Sequence, residues 1–151
     1  MSEILSFADY GFGDGKREGS VHRQRFTVDF DYDVHFTRGL FAPGNRLLAD
    51  VLDRKREGRR HRALVCIDSG VADAMPDLSA RIKAWFHEHQ DKAELAGCPE
   101  IVPGGEAVKN DWSVVEDLMV AIGNQHLDRQ SFVIAIGGGS VLDMVGFVAA
   151  L

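Results

Sequence analysis

The sequence predicts an α/β domain with a mostly parallel sheet and helices on both faces. Two short apolar runs, Ala63–Ile67 and Ser131–Ile136, are continuous rather than alternating, which is typical of strands covered on both faces. Segments with helical periodicity alternate with these runs, and that alternation favours a parallel sheet. Three consecutive glycines, Gly137–Gly139, follow the second run and mark a turn from strand to helix. Ligands of such sheets collect at the carboxyl ends of the strands.

Length and composition exclude several classes of protein. A chain of 151 residues with 45% hydrophobic and 26% charged residues has the composition of one globular domain, not of a disordered, collagen-like or coiled-coil chain. No apolar run reaches the roughly 20 residues of a membrane span, and no secretory signal is visible. The net charge of −6 opposes nonspecific binding to nucleic acid or membrane lipid.

The two cysteines fit neither a disulfide framework nor a metal motif. Cys66 and Cys98 lie far apart in sequence, and neither belongs to a CxxC pair. Cys66 falls within an apolar run, so we predict a buried free thiol and a reducing, cytoplasmic compartment.

The first third of the chain predicts an arm, a strand and a helix. Residues 1–24 hold four glycines and few large aliphatic residues, so we expect a flexible arm before a domain spanning 25–151. The segment RFTVDFDYDVHF alternates apolar and polar residues, which predicts a half-buried strand or a bent pair of strands at a sheet edge. The segment GNRLLADVL predicts a helix that continues through the basic residues and stops at Gly58.

Three further helices and a short strand are predicted beyond Ala63–Ile67. Pro76 can open a helix whose apolar face carries Leu78, Ile82, Trp85 and Phe86. A short strand is expected near Glu100–Val102. Asn110 or Asp111 caps the next helix, with an inward face of Val115, Leu118, Met119 and Ile122.

The last helix, after Gly137–Gly139, is apolar nearly all round, which predicts complete burial. Nothing follows it in the sequence to cover it. We therefore expect this chain to be a piece of a longer protein; the alternative is a helix fully buried within this domain.

The glycine-rich turn before the last helix is the strongest candidate site. Glycine lets a ligand approach the backbone closely, and the N-terminus of a helix offers N–H groups and a positive dipole end to an anion. Gly137, Gly138, Gly139 and Ser140 therefore predict a cradle for a phosphate or diphosphate, whereas a tight turn alone would need one glycine. Asp143, expected about the first turn, either complements the helix dipole or faces a polar cofactor group.

Two acidic positions could complete that site. Asp68 ends the Ala63–Ile67 strand, where an acid can accept both hydroxyls of a ribose or simply form a turn. In PGGEAVKN, Glu106 and Lys109 stand three apart on a turn, so both can face one ligand or form a solvated ion pair. The chain has no GxGxxG motif, so a dinucleotide site here would not follow the usual fingerprint.

Other charged clusters predict no site. The basic run from Arg54 to Arg62 is interpreted as the end of a helix, where the dipole favours cations, rather than as a nucleic-acid patch. His87 and His89 have poor spacing for a metal on a helix, so no metal ligands are predicted in this chain. No pattern for nucleophilic catalysis is present, and no catalytic residue is predicted.

Together, the strand ending in Asp68, the segment PGGEAVKN and the segment AIGGGSVLDMVGFVAA resemble the N-terminal half of the dehydroquinate synthase family, which includes the sugar phosphate cyclases. The resemblance covers about residues 30–151 and is sharpest over 137–150. It implies the NAD-binding α/β domain of a two-domain enzyme. In that family, a substrate alcohol is transiently oxidised, phosphate is eliminated, the carbonyl is reduced again, and an aldol step closes the ring.

The resemblance also implies roles for individual residues. Asp68 would bind the adenine-side ribose, Glu106 and Lys109 the ribose and nicotinamide portion, and Asp143 would lie near the nicotinamide. Gly138, Gly139 and Ser140 would hold the diphosphate. The predicted cofactor-binding set is Asp68, Gly70, Gly105, Glu106, Lys109, Gly137, Gly138, Gly139, Ser140 and Asp143.

The rest of the family's machinery would lie outside this chain. A divalent metal, zinc or cobalt, and most contacts to the sugar phosphate substrate belong to a helical C-terminal domain. By this resemblance, the chain alone would bind NAD without turnover, and the intact enzyme would be a cytoplasmic homodimer.

Three positions depart from the family pattern. Leu142 stands where glycine is often found, Ser140 replaces a common valine, and Gly70 replaces a frequent asparagine. These departures indicate a divergent branch. The GGGS sequence is also similar to that of metal-dependent alcohol and polyol dehydrogenases, which remain an alternative, as does a noncatalytic nucleotide-binding module.

Overall fold

The computed structural model describes residues 23–27, 31–106 and 111–151, so most of the predicted arm lies outside the described residues. The chain divides into two compact units, Met1–His35 and Phe36–Leu151. The described residues of the first unit have exposed side chains and form neither helix nor strand. The sheet, the helices and the core described below all belong to the second unit.

The strand predicted from the alternating segment is wrong for its described part. Residues 25–27 and 31–36 are not in a strand, and Phe26 and Phe36 are 86% and 97% exposed. Alternation supplies an apolar face, but a strand also needs a neighbouring strand to pair with its backbone and a core to cover that face. A period-two pattern specifies neither.

Within the described residues, four parallel strands form the sheet: β1 (His61–Asp68), β2 (Ala93–Leu95), β3 (Glu100–Val102) and β4 (Phe132–Ile136). The central strand β1 pairs with β4 along residues 63–67. Its amino half also pairs with β2 and its carboxyl half with β3. Because Ala63 and Ile67 each have two partners, β2 and β3 lie end to end on the edge of β1 opposite β4.

The part of the chain that the structure describes contains five helices around the sheet: α1 (Leu47–Leu52), α2 (Ser69–Ala74), α3 (Leu78–Glu88), α4 (Trp112–Asn124) and α5 (Gly139–Ala149). All of these helices except α2, and all of these strands except the three-residue β2, are predicted by the sequence. None of the helices in the described part is long and apolar enough to cross a bilayer.

Helices cover both faces of the sheet, which confirms the predicted α/β class. Along β1, Ala63, Val65 and Ile67 face the core shared with α1 and α3. The alternate residues Leu64 and Cys66 face the core shared with α4 and α5. All five are fully buried, so β1 contributes apolar surface to two cores at once. This double coverage is the reason that its sequence lacks a polar face.

In the core shared with α1 and α3, Trp85 of α3 makes a hydrogen bond and several ring contacts. Its indole Nε1 donates to the backbone oxygen of Asn45 at 2.8 Å, and its ring stacks on His89 with centroids 4.2 Å apart. Phe86 packs against its edge. The predicted inward face of α3 is confirmed, because Leu78, Ile82, Trp85 and Phe86 are all buried.

The predicted extension of α1 to Gly58 is wrong. The helix ends at Leu52 with Asp53 as its C-cap, although Gly58 does adopt a positive φ of 67°. The basic residues from Arg54 to Arg62 therefore do not form the end of a helix. Arg60 and Arg62 instead form ion pairs with Glu94 of β2.

Two predictions of burial on the second face are also wrong. Met119 of α4 is 43% exposed, although Val115 and Leu118 are buried as expected. On α5, Val141, Met144, Val145 and Val148 are buried, whereas Leu142 and Phe147 are about half exposed. A helix that packs on one side of a sheet buries only the face that contacts the sheet. The apolar character of its sequence therefore predicts more burial than the structure has.

A polar cluster closes the amino-terminal side of the sheet. Asp53, after α1, accepts from Lys92 Nζ at 2.8 Å, and its second oxygen lies 3.6 Å from Nε2 of buried His61. The hydrogen bond from Lys92 lowers the pKa of Asp53, against the opposing effect of burial. The same contact raises the pKa of Lys92. The cluster joins the end of α1 to the starts of β1 and β2.

We expect Asp53 to make stability depend on pH. Its pKa is lowered in the folded chain, so its contribution is present above the ordinary value of 3.8 and is lost as the pH falls through the lower folded-state value. Asp53→Asn should lower the free energy of unfolding at pH 7 and flatten this acid dependence. Urea unfolding between pH 2 and 7 measures both effects. Asp117→Asn, at an exposed site on α4, is the control; equal pH profiles for both variants would contradict the prediction.

The two thiols should differ sharply in reactivity. Burial, with a smaller contribution from the charge of Glu100, raises the pKa of Cys66 to about 12, whereas Cys98 is exposed. At pH 8 and without denaturant, iodoacetamide should therefore label Cys98 alone, because the thiolate is the reactive form. Peptide mass spectrometry identifies the labelled residue, and denaturant should expose Cys66. Equal labelling of both thiols in the native chain would contradict the burial of β1.

Candidate functional site

The candidate site lies where three parallel strands end. Asp68 of β1 pairs in register with Val102 of β3, and the preceding residue, Ile67, pairs with Ile136 of β4. The segments that leave these strands therefore begin side by side. They are the beginning of α2, the PGGE turn and the glycine-rich turn before α5. The parallel register brings together segments that are more than 30 residues apart in sequence.

Asp68 is enclosed by glycines at this edge. Its Oδ1 accepts from the backbone N–H of Gly70 at 2.8 Å, which makes Asp68 the N-cap of α2. A Cβ at Gly104 would lie 2.7 Å from the Asp68 Cγ, and one at Gly137 would lie 2.7 Å from the Asp68 Cβ. Both positions thus require glycine while Asp68 keeps this orientation. The carboxylate is held in one place by its hydrogen bond and by its neighbours.

Two residues of this edge were missed by the sequence analysis. The backbone N–H of Gly104 donates to Ser69 Oγ at 3.2 Å, which ties the turn after β3 to the first residue of α2. Gly104 also makes the close approach to Asp68 described above. The sequence signal was the glycine pair in PGGE, but only the pairing of β3 with β1 reveals which glycine faces the aspartate.

The beginning of α5 is open. Gly138 is the N-cap of this helix. Because glycine has no side chain, the helix N-terminus receives no side-chain hydrogen bond from its N-cap residue. A Cβ built on Gly138 or Gly139 meets nothing within 4 Å, and both residues are exposed. Four N–H groups at a helix N-terminus lack intrahelical partners. The first turn of α5 can therefore offer N–H groups and the positive end of the helix dipole to an incoming anion.

A side-chain contact joins the PGGE turn to α5. Ser140, in the first turn of α5, donates from Oγ to Glu106 Oε1 at 3.1 Å. Gly105, just before Glu106, has a positive φ of 87°, a conformation that favours glycine. Lys109 lies outside the described residues, so its predicted place beside Glu106 stays a prediction.

Asp143 lies on the second turn of α5, not about the first as expected, because the helix begins at Gly139. It is exposed and follows Gly139 by four positions, which places the two residues on the same face of the helix. The carboxylate therefore stands one turn behind the open N-terminus, on the side that bears the glycine.

Among the described residues, no group of three or more histidine, cysteine, aspartate or glutamate side chains is placed to hold a metal ion. What the strand ends gather is instead one fixed carboxylate, a second carboxylate and an open helix N-terminus. Such an arrangement can accept hydrogen bonds from hydroxyl groups and donate backbone hydrogen bonds to an anion. It suits a ligand that carries both sugar and phosphate groups.

Comparison with known proteins identifies related sequences. Residues 100–151 match the family model described as 3-dehydroquinate synthase N-terminal. A protein named 3-dehydroquinate synthase from Rhodospirillum rubrum is 31% identical over 121 residues, which are 80% of this chain and 28% of that protein. One of the same name from Natranaerobius thermophilus is 37% identical over 92 residues, 61% of this chain and 23% of its own length.

A third similar protein, the 3-dehydroquinate synthase of Methylacidiphilum infernorum, is 28% identical over 125 residues, covering 83% of this chain and 31% of that protein. The chain thus spans less than a third of the length of these relatives. No solved structure matches it significantly.

Fold and edge geometry define a parallel α/β domain with a glycine-rich helix N-terminus at its carboxyl edge. More specifically, the match over β3, α4, β4 and α5 and the similarity to the three relatives show a dehydroquinate synthase-like N-terminal domain. The family resemblance seen in the sequence is therefore confirmed. The individual roles predicted for the cofactor-binding residues stay predictions.

The fit of Gly104 and Gly137 around Asp68 can be tested by combined substitutions. Gly104→Ala should lower the free energy of unfolding by about 1–3 kcal/mol, as overpacking does. In an Asp68→Ala background this cost should largely disappear, because Cγ and both carboxylate oxygens are gone. Gly137→Ala should stay costly there, since its close neighbour is the Asp68 Cβ. Chemical denaturation of the six chains measures both couplings; equal rescue of the two glycine variants would contradict this geometry.

Proposed function

We propose that this chain binds NAD at the carboxyl edge of its sheet and supplies the cofactor site of a 3-dehydroquinate synthase-like sugar phosphate cyclase. The observation that carries the proposal is the open N-terminus of α5 beside the fixed carboxylate of Asp68. The names of the similar proteins support the reaction class. The whole reaction and its sugar phosphate substrate are proposed on that similarity.

The diphosphate would be held by main-chain N–H groups of the first turn of α5. Gly138 and Gly139 have open space where a side chain would stand, so a phosphate oxygen can come within hydrogen-bonding distance of the backbone. A group with negative charge is favoured there by the helix dipole. The absence of a side-chain cap at Gly138 leaves this position for the ligand.

The sugars would be bound by the carboxylates. A carboxylate accepts hydrogen bonds and repels a diphosphate, so Asp68 and Glu106 suit ribose hydroxyls on either side of it. Asp68 is already oriented by the N–H of Gly70, which lowers the cost of ordering it on binding. We assign Asp68 to the adenine-side ribose, Glu106 and Lys109 to the ribose and nicotinamide portion, and Asp143 to the neighbourhood of the nicotinamide.

The remaining residues of the proposed set shape the backbone. Gly70 donates to Asp68, Gly137 gives Asp68 room, and Gly105 turns the chain toward Glu106. These contacts place ligand-binding groups without touching the ligand. In this family, the chemistry that NAD supplies is the transient oxidation of a substrate alcohol.

The proposal also covers the metal ion, the turnover and the oligomeric state of the intact enzyme. A zinc or cobalt ion would be held by residues other than those described here, and the 151-residue chain alone would bind NAD without turnover. The intact enzyme would be a cytoplasmic homodimer. Activity distinguishes it from a dehydrogenase, because a cyclase releases phosphate with no net accumulation of NADH, whereas an alcohol dehydrogenase accumulates NADH.

Gly138 provides a test that separates binding from folding. Asparagine and aspartate are similar in size, and both are good N-caps, so Gly138→Asn and Gly138→Asp should unfold at similar denaturant concentrations. The aspartate places a negative charge where the diphosphate would bind. Isothermal titration calorimetry should therefore show NAD binding to Gly138→Asp at least about tenfold weaker than to Gly138→Asn, given the strength of charge repulsion at short range.

The wild-type chain and the asparagine variant are the references for this experiment. Equal affinity of the two variants would place the diphosphate elsewhere. No binding of NAD by the wild-type chain would contradict the proposed function itself.

A further inference from the structure

The contact between Ser140 and Glu106 connects two parts of the proposed site. Ser140 belongs to the first turn of α5, and Glu106 belongs to the turn after β3, so the 3.1 Å hydrogen bond joins the start of this helix to that turn. Ser140 is half-buried, whereas Glu106 is exposed. The half-buried residue is therefore the better anchored partner, and the exposed carboxylate is the one that the contact positions.

The direction of the hydrogen bond limits what Ser140 does. A serine hydroxyl has one proton to donate, and a carboxylate can only accept, so the Ser140 proton is directed to Glu106. It is not offered to a phosphate oxygen in this arrangement. Main-chain N–H groups would then bind the diphosphate, while the Ser140 side chain acts on a neighbouring group.

The charge of Glu106 determines which ligand group it can meet. Its carboxylate is held within hydrogen-bonding distance of the α5 first turn, close to the place proposed for the diphosphate. A carboxylate there repels phosphate and accepts from a hydroxyl. Its complementary ligand is therefore a sugar diol adjoining the diphosphate, not the diphosphate itself.

We propose that Ser140 is a positioning residue, which holds Glu106 against the first turn of α5 so that its carboxylate receives a ribose hydroxyl of the dinucleotide. This inference rests on the proposed function and refines it. Ser140 contributes to affinity through Glu106, and its contribution is confined to the nicotinamide side of the ligand.

Binding of NAD and of ADP distinguishes this role from a direct phosphate contact. ADP carries the diphosphate and the adenine-side ribose but lacks the second ribose. Ser140→Ala should weaken NAD binding about threefold to tenfold, the range for one hydrogen bond to a charged group, and should leave ADP binding unchanged. Ser140→Thr keeps the hydroxyl and should restore NAD affinity. Equal weakening of NAD and ADP by Ser140→Ala would overturn the proposal in favour of a direct phosphate contact.

A double-substitution cycle tests whether Ser140 acts through Glu106. If it does, Ser140→Ala combined with Glu106→Ala should bind NAD no more weakly than Glu106→Ala alone. Additive losses would overturn the proposal, and so would wild-type affinity of Ser140→Ala for NAD. Calorimetry on the 151-residue chain and its variants gives all of these values.

The same measurements distinguish failure of the proposed NAD-binding function from failure of the role proposed for Ser140. If the wild-type chain binds neither NAD nor ADP, the proposed function and this inference are both overturned. If the wild type binds both ligands and the variants behave otherwise than stated, only the role of Ser140 is overturned. Denaturant unfolding of Ser140→Ala and Ser140→Thr without ligand, expected to match the wild type closely at this partly exposed site, confirms that affinity and not folding has changed.

Discussion

The central strand β1 is the element on which the rest of the structure depends. Its residues from Ala63 to Ile67 are fully buried, and it is paired on both edges. Because two cores and three strands fix its position, its carboxyl end has little freedom. Asp68 is the first residue beyond that core, so the fully buried stretch of β1 places a charged side chain at the edge where loops meet. The packing of the core therefore determines the position of Asp68 in the site.

The glycines at this edge have two distinct physical roles. Gly104 and Gly137 are places where a Cβ would collide with Asp68, so their small size serves packing. Gly138 and Gly139 border open space, so their small size leaves the backbone of α5 accessible to a ligand. In the sequence, these four residues are indistinguishable members of two glycine-rich turns. The distinction emerges only when the strands are in register, because the colliding atoms belong to a residue more than 30 positions away.

The elements predicted from the sequence are confirmed where a hydrophobic pattern has a single physical cause. The continuous apolar runs became β1 and β4, and the apolar faces of α3 and α4 were largely as expected. Strand β2 and helix α2 are not predicted, because they are too short to show a period. The predicted extension of α1 to Gly58 is wrong. The strand predicted over residues 25–36 is wrong in its described part, since a local pattern does not reveal which neighbours are available to pair. Asp68, Glu106, Ser140 and the glycine turn, predicted to form one site, do lie at one edge of the sheet, and their roles stay predictions. Gly104 and Ser69 were not predicted there, because their contacts are purely tertiary.

The division of one sheet edge into β2 and β3 has a consequence for how this domain meets other chains. Each of the two strands is three residues long, and the interval between them contains Pro99, which has no N–H to donate. A foreign strand aligned along this side would find a ladder interrupted after three residues. Long, flat, continuous edges are the ones that recruit intermolecular β-pairing. Within the described residues, the interrupted edge is thus a poor template for intermolecular β-pairing, while β1 stays fully buried from Ala63 to Ile67.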